Sequence, residues 1–531
     1  MPPEAVQLEL FTHRFAAVAR QMGERLRRTA VSTNVKERLD FSCALLDTAG
    51  ELVVNAPHIP VHLGALGLCV RRLREVIAME PGDVVVTNHP GFGGSHLPDV
   101  TVVTPVFEGG HLLGYVASRA HHAEIGGIRP GSMPPTATRL VEEGVVISPM
   151  HLVRAGEPRW EELRRVLLEA PHPTRAVEEN LADLRAAVAA NHRGAEALTA
   201  LAQEHGRETV AFYMEALKAR AEARLREALA RLPARTYKAE EQLDDGSALA
   251  VHIRILKDKA VVDFQGSAGV HPGNLNAPPA VVRSAVLYVL RLLIAEPLPL
   301  NEGILRPVEI RIPPGMLNPP FPDDPAEAPA VVGGNVETSQ RLVDTLLKAL
   351  GLAACSQGTM NNLLFGNDRF GYYETVCGGA GAGPGFDGAS AVHTHMTNTR
   401  ITDPELVEHR YPVHVERFEI RGESGGPGRW TGGDGVVREI VFLERMSVSL
   451  LTQHRVERPY GMEEGLPGQA GQQRLVRAGG SLVELKPVDG CEAGPGDRLI
   501  LETPGGGGWG SPVLDAAEAL RKRPAPRRWR G

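Results

Sequence analysis

Residues 84–127 read VVVTNHPGFGGSHLPDVTVVTPVFEGGHLLGYVASRAHHAEIGG. The β-branched run at the start predicts a strand, and the glycine-rich stretch after it predicts a loop of small residues. Two further apolar runs, at 99–107 and 112–120, are separated by Gly109 and Gly110. Because a Gly-Gly pair suits the centre of a tight hairpin turn, these two runs are predicted to be neighbouring antiparallel strands.

This hairpin brings polar side chains together at its open end. With the glycine pair at the centre of the turn, Asp99 is predicted to pair with Ala120. His121 and His122 then emerge beside the end of the glycine-rich loop, where His96 lies. Side chains that are far apart in the sequence therefore come within contact distance.

Histidine and carboxylate side chains converge on this end of the hairpin. Two imidazoles and one carboxylate on one side of an ion leave positions open opposite, an arrangement that binds Mn, Fe or Zn and admits water or substrate. The stretch contains no cysteine, which argues against a structural zinc site. The alternative is that each histidine only caps a loop or bonds to the backbone. The sequence therefore predicts a divalent-metal site among His96, Asp99, His121, His122 and Glu124.

Seven segments along the chain match the signatures of one enzyme family. Two surround the hairpin, GSHLPDVTVVTPVF at 94–107 and AHHAEIGGIRPGSMPP at 120–135. The others are NVKERLD at 34–40, GGNVETS at 333–339, QGTMNN at 357–362, SGGPGRWTGGDG at 424–435 and TPGGGG at 503–508. In these segments the chain resembles the hydantoinase B/oxoprolinase family. It is similar to N-methylhydantoinase B-like subunits, which are related to subunits of acetone and acetophenone carboxylases.

The resemblance implies a metal site with defined ligands. In the related ketone carboxylases a manganese ion is held by a His-x-x-Asp pair and a later histidine, a pattern that maps onto His96, Asp99 and His121. In carboxylase-like members that later histidine precedes a glutamine, and here it precedes His122. His121 is therefore the predicted ligand, although the predicted pairing puts His122 on the face of Asp99, and a one-residue register shift would exchange the two. Manganese is the predicted ion, with zinc and iron as alternatives.

The resemblance also implies an activity and a partner. Family members are similar to one subunit of ATP-dependent enzymes that open hydantoin, N-methylhydantoin or 5-oxoproline rings. The chain has no Gly-Lys-Ser or Gly-Lys-Thr phosphate loop, so ATP is expected on a separate hydantoinase A-like ATPase subunit of a hetero-oligomer. The predicted reaction is attack of water on a lactam carbonyl that the partner has phosphorylated. His122 or Glu124 is expected to handle the proton.

Three other functions stay open at this point. A ketone carboxylase of the acetone type would use the same site to hold an enolate-like substrate. A scaffold subunit without catalytic activity would use its metal only to make the hairpin rigid. A stand-alone metallohydrolase would act without ATP and without a partner subunit.

Composition sets broad limits on the class of protein. The 531 residues carry a formal net charge of -7, which gives no reason to expect nucleic acid as a partner. The five cysteines show no Cys-x-x-Cys spacing, so neither a disulfide framework nor a zinc ribbon is indicated, and a reducing cytoplasm is expected. The N-terminus shows no signal-peptide pattern and no apolar run is long enough to span a bilayer, so a soluble protein without membrane contact is predicted.

Periodicity and the placement of proline predict a multidomain α+β fold. The stretch 174–232 contains no proline and is rich in Ala, Leu, Glu and Arg, so a long helical segment is expected there, interrupted at Gly194 or Gly206. The predicted parts are an α+β region with the metal hairpin at 1–173, the helical segment at 174–235, an α+β middle domain at 236–400, a β-rich C-terminal domain at 401–515 and a basic mobile tail at 516–531.

Glycine clusters and one cysteine invite a functional interpretation. The clusters at 378–383, 432–435 and 505–508 resemble phosphate cradles, but roles in turns or tight packing are favoured, because glycine mainly allows close backbone approach. Cys377, next to two glycines, is a candidate nucleophile, although burial beside a turn is favoured.

Two further pairs of histidines stay open. His393 and His395 alternate as the side chains of one strand face do, and a polar strand edge is favoured over a metal site. His58 and His62 flank a predicted loop. They either reach the metal region or bond only to water.

Overall fold

The computed structural model describes residues 5–55 and 59–512. Within them the chain forms a mixed α+β fold with four β-sheets, which confirms the predicted multidomain α+β class. The predicted tail at 516–531 and His58 lie outside the described residues. The domain bounds given above stay predictions.

Ten α-helices lie in the described part of the chain. They are α1 Ala5–Thr29, α2 Thr33–Lys36, α3 Ala65–Val76, α4 Leu140–Glu143, α5 Trp160–Glu169, α6 Val177–His205, α7 Arg207–Ala230, α8 Pro279–Leu292, α9 Ser339–Leu350 and α10 Pro404–Arg410. Shorter helical turns are the 3-10 helices Pro60–His62, Pro90–Phe92 and Glu302–Leu305 and the π-helix Gly334–Thr338. None of the described helices combines the length and the apolar character needed to cross a bilayer.

Helices α6 and α7 form the predicted long helical segment. The break falls at Gly206, whose φ of +84° is a backbone conformation that favours glycine. Gly194 instead lies within α6, where an added side chain would overlap Met22 of α1. Of the two predicted interruptions, only the one at Gly206 occurs, and Gly194 lets α1 and α6 pack closely.

A seven-stranded antiparallel sheet holds the predicted hairpin. Its strands are β1 Phe41–Leu46, β2 Leu52–Asn55, β3 Val84–Thr87, β4 Asp99–Glu108, β5 His111–His121, β6 Met150–Arg154 and β7 Glu157–Pro158. They lie in the order β2-β1-β5-β4-β3-β6-β7. Helices α1 and α6 pack on one face, and α3 packs Leu66 and Val70 with sheet residues such as Leu46 and Val85. Because helices contact both faces, these strands are apolar along their whole length rather than alternating.

Strands β4 and β5 form the predicted hairpin with one correction to its register. The Gly-Gly pair makes the turn, with φ positive at both residues. Past Leu113, which has no partner in β4, the pairing shifts by one residue, so Asp99 pairs with His121 and not with the predicted Ala120. The predicted pairing was wrong because it assumed an uninterrupted ladder, whereas β5 contains a bulge.

A second sheet lies in the middle of the chain. Its strands are β8 Thr236–Gln242, β9 Ala248–Leu256, β10 Lys259–Asp263 and β11 Val308–Arg311. Their order is β11-β10-β9-β8, and only β10 and β11 run parallel. Helices α8 and α9 pack together and share one apolar core with these strands. The π-helix continues directly into α9 and carries residues of the site described below.

Two further sheets make the C-terminal part β-rich, as predicted. The strands are β12 Asn362–Gly366, β13 Gly371–Thr375, β14 Val413–Arg421, β15 Gly435–Phe442, β16 Met446–Leu451, β17 Gln472–Val476, β18 Leu482–Glu484, β19 Val488–Ala493 and β20 Arg498–Glu502. One sheet has the order β13-β12-β16-β19, and the other has the order β14-β15-β20-β17-β18. Among the described residues after 401, α10 is the only α-helix.

The glycine clusters pack backbone against backbone. A side chain at Gly506 would overlap the carbonyl oxygen of Ala380, and one at Gly432 would overlap that of Gly506. Main-chain hydrogen bonds of 2.9 Å join the amide of Gly433 to Ala380 and the amide of Gly506 to Gly433. These contacts support the packing role that was favoured over a phosphate cradle.

Candidate metal centre

Three neighbouring strands place polar residues in one row at the end of the first sheet. Asp99 of β4 and His121 of β5 are paired directly. On the other side of β5, Phe41 pairs with Ala120, and the carbonyl oxygen of Asp40 accepts a hydrogen bond from the His121 amide at 3.1 Å. The strand order β1-β5-β4 therefore sets Asp40, His121 and Asp99 side by side.

His96 reaches this row from the glycine-rich loop. The loop turns through the 3-10 helix Pro90–Phe92 and then Gly93, whose φ is +86°. Nε2 of His96 lies 3.2 Å from Oδ2 of Asp99, and Nδ1 of His121 lies 3.4 Å from Oδ1 of the same carboxylate. One ligand atom from each of the three residues lies within 4.8 Å of the other two, and all three side chains are buried. The structure thus brings the predicted ligand residues together.

His62 also contacts this cluster, which the sequence left open. It ends the 3-10 helix Pro60–His62, and its Nε2 lies 3.1 Å from Oδ2 of Asp99. The Ser42 hydroxyl lies 2.9 Å from Nδ1 of His62, and the Ser95 hydroxyl donates to Oδ2 of Asp99 at 2.5 Å. When the Nε2 proton of His62 points to Asp99, Nδ1 accepts from Ser42. Periodicity in the sequence does not reveal this contact, because a loop carries His62 to the sheet.

Several polar atoms of the cluster have no hydrogen-bond partner within the described chain. Both ring nitrogens of His96, Nε2 of His121 and Oδ1 of Asp99 are buried and unpaired. Burial by itself raises the pKa of the Asp99 carboxyl, but the contacts with His96, His62 and His121 outweigh it and hold that pKa well below its usual range. Burial lowers the pKa of His121. An ionised carboxylate beside a neutral imidazole, both with free donor atoms, fits a divalent ion.

A small cavity adjoins the cluster. Its volume is about 20 Å³, which accommodates an ion or a water molecule. The polar lining residues are Asp40, His62, Asp99, His121, Asn335 and Thr397, and the others are Ile59, Val61, Val336, Met360, Tyr373 and Met396. The carboxylate of Asp40 makes no hydrogen bond or ion pair with another described residue, so a second carboxylate is available at this cavity.

Tyr373 packs against the imidazole of His121. The two rings stack with centroids 4.5 Å apart and planes 18° from parallel, and the guanidinium carbon of Arg38 lies 4.7 Å from the Tyr373 centroid. The Tyr373 hydroxyl donates to Oδ1 of Asn362 at 3.0 Å, and Nδ2 of Asn362 donates to Oε1 of Glu337 at 2.6 Å. Burial raises the pKa of Glu337 to about 8, so this carboxyl group is protonated at neutral pH.

A comparison with known families accounts for the conjunction of these segments. Residues 4–512 match the family model described as hydantoinase B/oxoprolinase. The chain belongs to this family. The match extends over nearly the whole chain and confirms the resemblance carried by the seven segments of the sequence.

Relatives of this hydantoinase B/oxoprolinase chain differ in length. Over 537 residues it is 47% identical to 5-oxoprolinase 1 of Arabidopsis thaliana, covering 96% of this chain and 42% of the plant protein. Over 535 residues it is 30% identical to a protein of Pseudomonas sp. (strain NS671) that is provisionally named as the B-type subunit of a D-/L-hydantoinase, covering 93% and 88%. The chain therefore spans about two fifths of the length of the 5-oxoprolinase that it matches.

Two solved structures share the fold of this family member. The ATP-dependent caprolactamase from Pseudomonas jessenii superimposes with a TM-score of 0.86 at 25% identity, covering 98% of this chain and 94% of that one. The nucleotide-free acetone carboxylase superimposes with a TM-score of 0.84 at 17% identity, covering 97% and 77%. The second likeness shows the fold alone.

The two residues predicted to handle a proton in this hydantoinase B-type chain lie elsewhere. Nδ1 of His122 accepts a hydrogen bond from Nδ2 of Asn180 on α6 at 3.1 Å, and burial lowers the pKa of His122. The Glu124 carboxylate accepts from two main-chain amides and from Arg175 at 3.0 Å. Neither residue lines the cavity. Their catalytic role stays a prediction that the geometry does not support.

The other residues singled out in the sequence form no second site of this kind in the described chain. The strand expected at His393 and His395 is wrong, because the chain turns at His395, where φ is +53°. Nε2 of His395 lies 2.9 Å from Oδ1 of Asp344, and Nδ1 of His393 has no partner among the described residues. Burial raises the pKa of the Cys377 thiol to about 11, which leaves it a poor nucleophile.

Proposed function

We propose that this chain carries the ring-opening site of an ATP-dependent cyclic amide hydrolase of the 5-oxoprolinase or hydantoinase type. The observation that carries the proposal is the buried cluster of His96, Asp99 and His121, with unpaired donor atoms beside a cavity. Relatives named as a 5-oxoprolinase and as the B-type subunit of a hydantoinase support the substrate class. A solved caprolactamase of the same fold supports it as well, because caprolactam is a cyclic amide.

A divalent ion is proposed at this cluster. The donors would be a ring nitrogen of His96, Oδ1 of Asp99 and Nε2 of His121, which are the atoms left unpaired. Nitrogen and oxygen donors without a thiolate suit manganese, and also zinc or iron. When bound, such an ion supplies Lewis-acid activation of a water molecule or a carbonyl group.

The side chains of this protein prepare the site for hydrolysis. His62 and Ser95 both contact Oδ2 of Asp99, which keeps that carboxylate ionised and oriented. Tyr373 fixes the plane of the neighbouring imidazole. The free carboxylate of Asp40 faces the same cavity, where it is available to the ion or to the proton of a water molecule. Asp40 thus takes the place that the sequence interpretation assigned to His122 or Glu124.

ATP is proposed to act on a partner, a hydantoinase A-like ATPase subunit in a hetero-oligomer. The glycine clusters of this chain pack against other main chain, and their geometry does not support a phosphate cradle. The matched plant 5-oxoprolinase is more than twice as long as the matched region, whereas the B-type hydantoinase relative is matched over 88% of its length. A second polypeptide that phosphorylates the lactam oxygen is therefore the arrangement that we favour.

The test is an assay of the chain purified together with its ATPase partner. ATP is supplied with hydantoin, with 5-oxoproline, or with acetone and bicarbonate, and both phosphate release and the organic product are measured. A ring-opened product that requires ATP and is lost in the His96→Ala variant supports the proposal. Carboxylation of acetone would assign the ketone carboxylase function instead. No substrate-stimulated phosphate release with any of the three compounds would contradict both.

A further inference from the structure

Asn335 presents an unpaired carboxamide at the cavity. The residue lines the cavity, is only 3% exposed, and its Oδ1 has no hydrogen-bond partner within the described chain. No other described residue is hydrogen-bonded to its side-chain amide. Buried amides are normally paired, because an unpaired one loses its hydrogen bonds to water without replacement. This side chain therefore points to a ligand with matching hydrogen-bonding groups.

The main chain holds Asn335 in place before any ligand binds. The residue belongs to the π-helix Gly334–Thr338, a rare conformation that is frequent at functional sites. A side chain at Gly334 would overlap the carbonyl oxygen of Asn276, so the π-helix is in close backbone contact with that segment. The amide of Asn335 donates to the carbonyl oxygen of Val331 at 3.3 Å. The position of the carboxamide is thus set by the fold.

A cyclic amide offers the matching edge. Ring closure holds the amide of a small lactam in the cis form, so its N–H and its C=O project from the same edge. The carboxamide of asparagine also presents an oxygen and an N–H side by side, and two such edges join through a pair of hydrogen bonds. We propose that Asn335 recognises this cis-amide edge, with Oδ1 accepting from the ring N–H and Nδ2 donating to the ring oxygen. The inference rests on the proposed function and adds the residue that selects cyclic amides with a free N–H.

The same side chain also suits the activated substrate. When the lactam oxygen bonds to the γ-phosphorus of ATP, the bond from that phosphorus to ADP breaks and the ring nitrogen gives up its proton to water. The nitrogen is then an acceptor, and Nδ2 of Asn335 can donate to it. One carboxamide therefore binds the ring before and after activation.

The rest of the cavity suits the methylene groups of a small ring. Ile59, Val61, Met360 and Met396 supply apolar surface beside Asn335. The volume of about 20 Å³ is smaller than a lactam, so binding requires side chains to move. The two methionines are the lining residues best able to do so, because their unbranched side chains adopt many conformations.

The inference separates cyclic amides from ketones and from N-substituted lactams. A ketone has no N–H, and an N-methyl lactam carries a methyl group where Oδ1 expects a donor. Either would leave the buried oxygen of Asn335 unpaired. The preference between a lactam and its N-methyl derivative therefore measures this contact directly.

The experiment measures the binding of 2-pyrrolidone and N-methyl-2-pyrrolidone to the metal-loaded complex of chain and partner, without ATP, by isothermal titration calorimetry. The wild type is expected to bind 2-pyrrolidone about 10-fold more tightly, the value of one well-placed hydrogen-bonding edge. Asn335→Leu, which keeps a similar volume, is expected to bring the ratio close to one with unchanged metal content. Thr397→Val removes a hydroxyl group from the same cavity and is expected to keep the wild-type ratio.

A wild-type ratio near one would overturn the inference, even if the variant does not fold. A wild-type ratio retained by folded, metal-loaded Asn335→Leu would overturn it too. If the complex opens a cyclic amide with ATP but shows no preference between the two lactams, the proposed function stands and the role of Asn335 fails. If it neither binds a lactam nor opens any cyclic amide, the proposed function fails.

Discussion

Asp99 and His121 face each other across β4 and β5, with Oδ1 and Nδ1 3.4 Å apart, because Leu113 bulges out of the ladder. Uninterrupted pairing would set Ala120 opposite Asp99 and turn His121 to the other face of the sheet. The bulge therefore decides which of two adjacent histidines enters the cluster, and His122 contacts α6 instead. Bulges often re-aim side chains in this way next to active sites.

Removing the ring that stacks on His121 should weaken metal binding. Tyr373→Leu is expected to raise the dissociation constant for Mn²⁺ roughly 10- to 100-fold, because a supporting contact that orients a ligand is lost. Tyr373→Phe keeps the ring and loses only the bond to Asn362, so a smaller change is expected. The dissociation constant is measured by competition with a chelator.

Tyr372→Leu is the matched control for that comparison. Tyr372 is the preceding residue of the same strand, is equally buried, and points to the other face, where it packs on Phe365. Both leucine variants should lower the melting temperature, but only Tyr373→Leu should change metal affinity. An equal effect of the two variants on metal affinity would show that Tyr373 acts through general stability alone.

The buried carboxyl group of Glu337 should make stability depend on pH. Its pKa is raised from 4.5 to about 8, so the folded state keeps a proton that the unfolded state loses in between. The free energy of unfolding should therefore fall as pH rises from about 4.5 to 8, by at most about 1.4 kcal/mol per unit of pKa difference. Glu337→Gln resembles the protonated form and should be stabilised relative to wild type at pH 8 but not at pH 4.5.

Urea unfolding at several pH values tests this effect of Glu337. The exposed Glu157→Gln variant serves as the control and should follow the wild-type pH dependence. Parallel curves for wild type and Glu337→Gln would show that the carboxyl group is already ionised in the folded protein at neutral pH.

The glycine packing predicts an unequal response to two alanine substitutions. Gly506→Ala would force a methyl group onto the carbonyl oxygen of Ala380 and should destabilise the protein by about 3 kcal/mol or more. Gly479→Ala meets nothing within 4 Å and should change stability by less than about 0.5 kcal/mol. Urea unfolding of the two variants measures the difference, and equal stabilities would rule out tight packing at Gly506.

The local pattern of the sequence predicted the hairpin and the helical segment well. β-branched runs flanking two glycines are enough to predict β4, β5 and their turn, because these signals act between neighbouring residues. The bulge at Leu113 escaped prediction, since nothing in the residue types marks one extra residue in a ladder. The choice between His121 and His122 depended on that single residue.

The missed site residues come from distant segments. His62 arrives on a short 3-10 helix, Tyr373 on β13 and Asn335 on a π-helix, and each meets the hairpin only through tertiary packing. Their residue types are also common in cores and loops, so no local pattern distinguishes them. The motif segments that carry Asn335 and Asp40 were visible as family signatures, but their place at one cavity was not.

The most direct test of the proposed site is the metal content of the purified chain, measured by plasma mass spectrometry on the wild type and on folded His96→Ala, Asp99→Ala, His121→Ala and His122→Ala variants. The account predicts about one Mn, Zn or Fe per wild-type chain. It predicts loss of that ion in the first three variants and its retention in His122→Ala, whose ring faces α6. Metal kept by His121→Ala and lost by His122→Ala, or a wild-type chain and complex without metal, would contradict it.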